Sequence, residues 1–252
     1  MFDPSLTTIG SWLQLADPAI TEMMARAGFD WLVVDLEHTA TGIDRAAEAI
    51  RIGDLAGVPM FVRLSGHDPA QIKRVLDAGA RGIIAPTVRS RAEAEALVEA
   101  AFYPPRGRRG VGLSRAQGFG LTFEAYRDGA ARDVVVVAQI EDADGVRNLD
   151  EILAVDGITG FFVGPYDLSG SLGRPGEFDH PEVRSALDEL DRHLEPGGPM
   201  AGIHVVEPDP ARLAAAVERG YRFVAFSSDM LIFSHRTAEL AEAVAEVRRD
   251  AR

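Results

Sequence analysis

ARAGFDWL, residues 25–32, ends an amphipathic stretch, passes through a glycine and opens an apolar run, and the same phrase returns as DLAGVPMF at 54–61, LDAGARGI at 76–83 and VERGYRFV at 217–224. A glycine just past a helical stretch supplies the left-handed residue that closes a helix. The apolar run after it reads as a strand covered on both faces. Helix, glycine and strand in repetition predict parallel strands joined by crossover helices. Reading outward from these phrases gives strands at Gly10–Leu15, Trp31–Glu37, Met60–Leu64, Gly82–Val88, Val134–Glu141, Gly160–Gly164, Ala201–Val206 and Arg222–Ser227. Runs such as VVVVAQI (134–140) and FVAF (223–226) lack the alternation of a half-exposed strand. Asp17-Pro18, Asp68-Pro69, His180-Pro181 and Asp209-Pro210 each set a cap or turn residue before a proline in a helical first turn. The expected fold class is α/β, a (β/α)8 TIM barrel, with residues 1–252 as a single domain. Such barrels take about 250 residues.

Composition excludes several functions. A net charge of −13 speaks against nucleic-acid partners and anionic membrane surfaces, since both draw affinity from clustered Lys and Arg. No apolar run approaches the roughly 20 residues that span a bilayer, and MFDPSLTTIG at the start lacks signal-peptide character, so a cytoplasmic location is expected. The absence of cysteine excludes disulfides, a thiolate nucleophile and thiolate-ligated metals. The stretch YPPRGRRGVGLSRAQGFG (103–120), rich in Gly, Pro and Arg, is too long for a plain connection and is expected to loop over one end of the barrel.

In a barrel of this kind the site lies where the strands end. The second strand ends in Asp35-Leu36-Glu37-His38, the third carries Arg63, the fifth ends in Gln139-Ile140-Glu141 and the sixth runs into Gly164-Pro165-Tyr166-Asp167. Taken alone, Glu141 or Asp167 reads as a cap for the helix that follows. As a pair from neighbouring strands they suit a hard divalent cation such as Mg²⁺ or Mn²⁺, whose open positions a chelating 2-oxo acid would fill. Arg63 reads either as a guanidinium that stabilises a developing oxyanion or as a salt-bridge partner of Asp35 or Glu37. His38, directly after a strand-ending acid, is the candidate proton carrier. Of the other histidines, His67 and His180 precede helix starts, His193 and His235 lie in helical stretches, and His204 alone, inside the seventh strand, is placed to face the site. The only lysine, Lys73, falls within the helical PAQIKRVLDAG (69–79), away from any strand end. An imine-forming aldolase needs a lysine in the barrel mouth. An aldol reaction in this chain therefore needs a metal ion as its electron sink.

FDWLVVDLEH (29–38), VRLSGHDPAQIKRVLDAGARGIIAPTV (62–88), YPPRGRRGVG (103–112), the strand end QIE (139–141) and VGPYDLSGSLG (163–173) with HPEV (180–183) occur in an order and spacing that resemble the HpcH/HpaI aldolases, the class II pyruvate aldolases. The resemblance implies that Glu141 and Asp167 bind a divalent metal (Mg²⁺, Mn²⁺ or Co²⁺) that chelates the carboxylate and oxo group of pyruvate or hydroxypyruvate. It implies that Arg63 contacts the oxo oxygen and stabilises the enolate, and that His38 moves protons through water, paired with Asp77 of a neighbouring subunit. Backbone amides around Gly164, Pro165, Tyr166 and Asp167 would hold the carboxylate, and Gln139 would line the same pocket. A homohexamer built as a trimer of dimers follows from the same resemblance. On sequence alone Asp77 is a solvated helical residue two before a capping glycine. Tyr166 and His204 depart from the family pattern at positions expected near the pocket, and both bear on the acceptor aldehyde rather than on metal chemistry. The implied reaction is reversible cleavage of 4-hydroxy-2-oxo acids to pyruvate and an aldehyde. The alternatives are a citrate-lyase-β-like or malyl-CoA-type lyase, or a barrel that binds a small acid without turnover.

Overall fold

The computed structural model describes residues 2–195 and 197–250. In chain order the elements are β1 (Thr8–Leu13), α1 (Pro18–Ala25), β2 (Trp31–Asp35), α2 (Ile43–Leu55), β3 (Met60–Arg63), α3 (Pro69–Ala78), β4 (Gly82–Ala85), α4 (Arg91–Ala101), α5 (Phe123–Asp133), β5 (Val135–Ile140), α6 (Ala143–Arg147), α7 (Leu149–Leu153), β6 (Gly160–Val163), α8 (Pro165–Ser171), α9 (Pro181–Asp191), β7 (Met200–Val205), α10 (Pro210–Arg219), β8 (Phe223–Ser228) and α11 (Asp229–Asp250). The strands pair in parallel in sequence order and β8 returns to β1, closing the barrel. The expected (β/α)8 barrel is the fold of this chain.

Local chemistry sets the boundaries. The carboxylates of Asp17, Asp68 and Asp209 accept from the backbone N–H two residues on, at 2.9, 2.9 and 2.8 Å, with proline filling the first turn. Gly79, at φ 108°, closes α3 in the left-handed conformation that a side chain resists. β2 stops at Asp35, short of the expected Glu37, because Asp35 Oδ1 accepts from the N–H groups of Glu37 and His38 and turns the chain out of the sheet. β4 stops at Ala85 because Pro86 has no N–H to give a ladder.

Successive residues on a strand alternate between the barrel interior and the surrounding helices. Inward, Trp31 stacks on Phe223 with ring centroids 3.9 Å apart, and Phe2 and Phe61 edge against them. Above this layer Trp12 meets Phe162 edge to face at 5.9 Å. Above that, the inward positions turn polar at Asp35, Arg63, Gln139, His204 and Ser227. Outward, Leu32, Val34, Val62, Ile83, Val136, Ile140 and Val163 form a second apolar layer with the helices. Replacing a buried aromatic such as Trp31 by alanine costs roughly 3–5 kcal/mol.

Residues 103–120 fold away from the mouth. Arg115 donates to the carbonyl of Ala78 and pairs with Asp54, so this stretch packs against the C-terminal ends of α2 and α3, on the side of the barrel where the strands begin. The last helix, α11, keeps only Asp229 buried, and Phe233, Leu240, Val244 and Val247 are 50–68% exposed.

Candidate active site at the strand C-termini

Arg63 is the centre of the polar layer. Its Nε and Nη2 donate to Asp35 Oδ1 and Oδ2 at 2.9 and 2.6 Å, Nε lies 3.3 Å from Glu37 Oε2, and Cζ sits 4.3 Å over the Trp12 ring. Nη1 has no partner among the described residues. Both sequence readings of Arg63 thus meet in one side chain: two of its three nitrogens are spent on holding it, and Nη1 is left to offer. Burial alone would push Asp35 up, but the guanidinium across both of its oxygens and the N–H groups of Glu37 and His38 hold its carboxyl below the usual range. Burial pushes Glu37 up; Arg63 opposes this, and the nearby Glu141 charge adds to it. His38 is exposed, with Nε2 3.6 Å from Glu37 Oε2.

Glu141 is 5% exposed and held by neutral groups. Oε1 accepts from the Thr87 N–H and hydroxyl, each at 2.7 Å, and Oε2 accepts from the Gln139 amide. The ion pairs of the site run to Arg63 or His38, and Glu141 takes part in none among the described residues. Gly164 lies against it: a Cβ there would come within 2.8 Å of both Cβ and Oε2 of Glu141. Asp167 stands in the first turn of α8, exposed and without a cationic partner among the described residues. The turn carrying it is fixed by Ser169, whose hydroxyl donates to the Tyr166 carbonyl at 2.6 Å and accepts from Gly176 N–H at 2.8 Å.

A carboxylate taken out of water without a counter-charge is costly. Asp35, Glu37, Glu141 and Asp167 share one permanent cation, Arg63, and its pairs go to the first two. No group of three or more His, Cys, Asp or Glu side chains among the described residues could hold a metal. A cation at Glu141 and Asp167 would therefore complete its shell with water and ligand oxygens, as Mg²⁺ commonly does. The donor set fits such a hard cation.

His204 faces inward from β7, with Nε2 3.1 Å from the Ser227 carbonyl and its ring 5.5 Å from Trp12. A carbonyl only accepts, so Nε2 carries the proton. Burial pushes its pKa down to about 4, and the Arg63 charge works in the same direction. Among buried polar atoms here, Trp12 Nε1, Gln139 Oε1, Glu37 Oε2 and Ser227 Oγ lack hydrogen-bond partners. All four are closed off from solvent, and Glu37 Oε2 keeps its ion pairs with Arg63 and His38.

The structure brings together Arg63, Gln139, Glu141, Gly164 and His204, with His38 beside Glu37 and with Pro165, Tyr166 and Asp167 on the turn after Gly164. It does not bring Asp77 to them. Asp77 accepts from the buried Arg109 at 2.6 Å within its own chain. Sequence reasoning missed Trp12, which reads as ordinary strand core, and Thr87, which carries no polar pattern. It also passed over His67, whose Nε2 lies 2.6 Å from the Pro86 carbonyl beside this site. The cavity of about 440 Å³ lined by Phe2, Asp54, Arg81, Tyr126 and Asp133 lies at the opposite end of the barrel and contains none of these residues.

The family model for HpcH/HpaI aldolase/citrate lyase matches residues 8–236, a span holding every residue of this site. The chain belongs to this family. It is 39% identical over 236 residues to a hydroxypyruvate/pyruvate aldolase of Pseudomonas aeruginosa, covering 92% of this chain and 87% of the relative. It is likewise 39% identical over 237 residues to a 5-keto-4-deoxy-D-glucarate aldolase of Escherichia coli O6:H1, covering 93% and 91%. The crystal structure of an HpcH/HpaI aldolase from Desulfitobacterium hafniense DCB-2 superposes with a TM-score of 0.86 at 31% identity, over 96% of this chain and 94% of that one. The chain is an enzyme of the aldolase type, a carbon–carbon lyase.

Proposed function

We propose that the chain acts as one catalytic unit that reversibly cleaves 4-hydroxy-2-oxo acids to pyruvate or hydroxypyruvate and an aldehyde, with a divalent cation (Mg²⁺, Mn²⁺ or Co²⁺) at Glu141 and Asp167. The observation that carries this reading is Glu141: a buried carboxylate held by neutral donors, with no cationic partner among the described residues, next to Glu37, which Arg63 also meets. The names of the relatives, hydroxypyruvate/pyruvate aldolase and 5-keto-4-deoxy-D-glucarate aldolase, support the substrate class. The bound cation supplies Lewis-acid polarisation of the 2-oxo group. In cleavage, the proton of the C4 hydroxyl passes to water held by His38, the C3–C4 bond breaks and the aldehyde departs. The electron pair comes to rest as an enolate, to whose oxygen Arg63 Nη1 donates. The proton then returns to C3, giving pyruvate. Backbone N–H groups at Tyr166 and Asp167 hold the substrate carboxylate, and Gln139 and His204 line the pocket.

We further read the enzyme as a cytoplasmic homohexamer, a trimer of dimers, with Asp77 of a second copy reaching His38. The exposed apolar residues of α11 support burial against other copies. No helix among the described residues is long and apolar enough to cross a membrane.

The test is pyruvate release from a 4-hydroxy-2-oxo acid before and after EDTA. The reading expects loss on chelation and recovery with Mg²⁺ or Mn²⁺. Full activity in EDTA would sink it.

A further inference from the structure

One peptide unit, Pro86–Thr87, lies between a histidine and the carboxylate of Glu141. Its carbonyl oxygen is 2.6 Å from His67 Nε2, which must carry the proton because a carbonyl can only accept. Its N–H, across the same plane, donates to Glu141 Oε1 at 2.7 Å, and the Thr87 hydroxyl donates to that oxygen at 2.7 Å. Thr87 has φ 51°, a left-handed conformation that is an outlier for a β-branched residue. Such a residue persists only where its surroundings over-determine it, and such positions cluster at functional sites. The surroundings here are specific. Pro86 has a fixed φ, His67 holds its carbonyl, and the next residue, Val88, donates its N–H to the Gln139 carbonyl at 3.1 Å. The same Gln139 side chain bonds the second oxygen of Glu141.

The geometry points to His67 and Thr87 as positioning residues for Glu141: His67 pins the strained Pro86–Thr87 peptide, and Thr87 fixes the carboxylate in one orientation for a divalent cation. Neither touches substrate. The relay runs from the start of α3, through the turn after β4, to the end of β5, so three elements share the cost of holding one ligand. A carboxylate held before binding has less rotamer freedom to lose when the cation arrives, and outer partners that orient metal ligands affect affinity for that reason. This assignment rests on the metal reading of Glu141.

The experiment measures Mn²⁺ dissociation constants by electron paramagnetic resonance on metal-stripped protein without substrate, alongside thermal unfolding. Thr87→Val keeps the shape and the β-branched strain and removes only the hydroxyl. His67→Leu removes the donor to the peptide from a different element. Each is expected to weaken Mn²⁺ binding roughly 10- to 100-fold with unfolding temperature little changed, while Thr87→Ser and His67→Gln stay within about threefold of the parent. Parent-like Mn²⁺ binding by Thr87→Val and His67→Leu would overturn the assignment. Failure of either to fold would do the same, since that is the outcome of a purely structural role. Glu141→Gln separates the two layers of argument. If it abolishes Mn²⁺ binding while the Thr87 and His67 variants bind normally, only the positioning role fails; if it binds Mn²⁺ normally, the metal reading fails as well.

Discussion

Arg63 shows how a single side chain serves both packing and chemistry. Asp35 takes two of its donors, Trp12 lies against its face, and the third nitrogen remains to offer. Lysine cannot reproduce a planar bidentate fork. Arg63→Lys is therefore expected to lower kcat about 100-fold, in the range seen when one oxyanion donor is lost, and steady-state kinetics will show whether it does. Asp35→Asn leaves the guanidinium half-paired in a buried layer and should cost about 3–5 kcal/mol in denaturant unfolding. His204 gives a pH signature. Its folded pKa of about 4 lies below the ordinary 6.5, so between these values the unfolded chain binds more protons than the folded one. Its contribution is present above pH 6.5 and is lost as pH falls toward 4, on the order of 3 kcal/mol in all. A His204→Gln variant should lose less stability than the parent between pH 7 and pH 5; equal losses would refute the neutral, buried imidazole. At this scale sequence reading picked out residues whose type suggests chemistry at a strand end, among them Arg63, Glu141 and His38, which the structure sets at the same mouth. It could not find Thr87, because nothing in residue preference places threonine at left-handed φ. Nor could it find His67, because the carbonyl that His67 holds belongs to the turn after β4, brought to it only by the fold.

Among the elements, the barrel strands were the most legible, since a strand buried on both faces must be apolar along its length and its polar end then stands out. The exact ends were less so. Asp35 turns β2 outward through its own side chain, a local bond that competes with the sheet and leaves no periodic trace. The junction of β6 with α8 makes a testable case. Gly164 sits where a Cβ would press on Glu141, so Gly164→Ala should displace that carboxylate. The expected result is a loss of Mn²⁺ affinity of roughly tenfold or more with little change in unfolding temperature. Parent-like affinity would mean that the close packing at Gly164 has no bearing on the site. The 103–120 stretch was legible as a loop but not in its destination. Arg109 within it is buried against Tyr103 of the same stretch and against Asp77 and Tyr126 from outside it, contacts that no local pattern announces.

For the whole molecule, the closed barrel places every polar inward residue of the last layer at one mouth, so the carboxylates at the ends of β2 and β5 and on the turn after β6 lie at that mouth although they are far apart in the chain. The apolar residues of α11 remain exposed in the single chain, which leads to the expectation of a hexamer by light scattering. A monomeric mass at micromolar concentration would contradict it. The central claim is that Glu141 and Asp167 hold a cation which, with Arg63, makes the methyl protons of pyruvate acidic. Its most direct test is proton exchange at the pyruvate methyl group in D₂O, followed by NMR with Mg²⁺ present. The account predicts exchange that stops on adding EDTA and is absent in Glu141→Gln; exchange that persists through both changes, or no exchange by the metal-loaded parent enzyme, would contradict it.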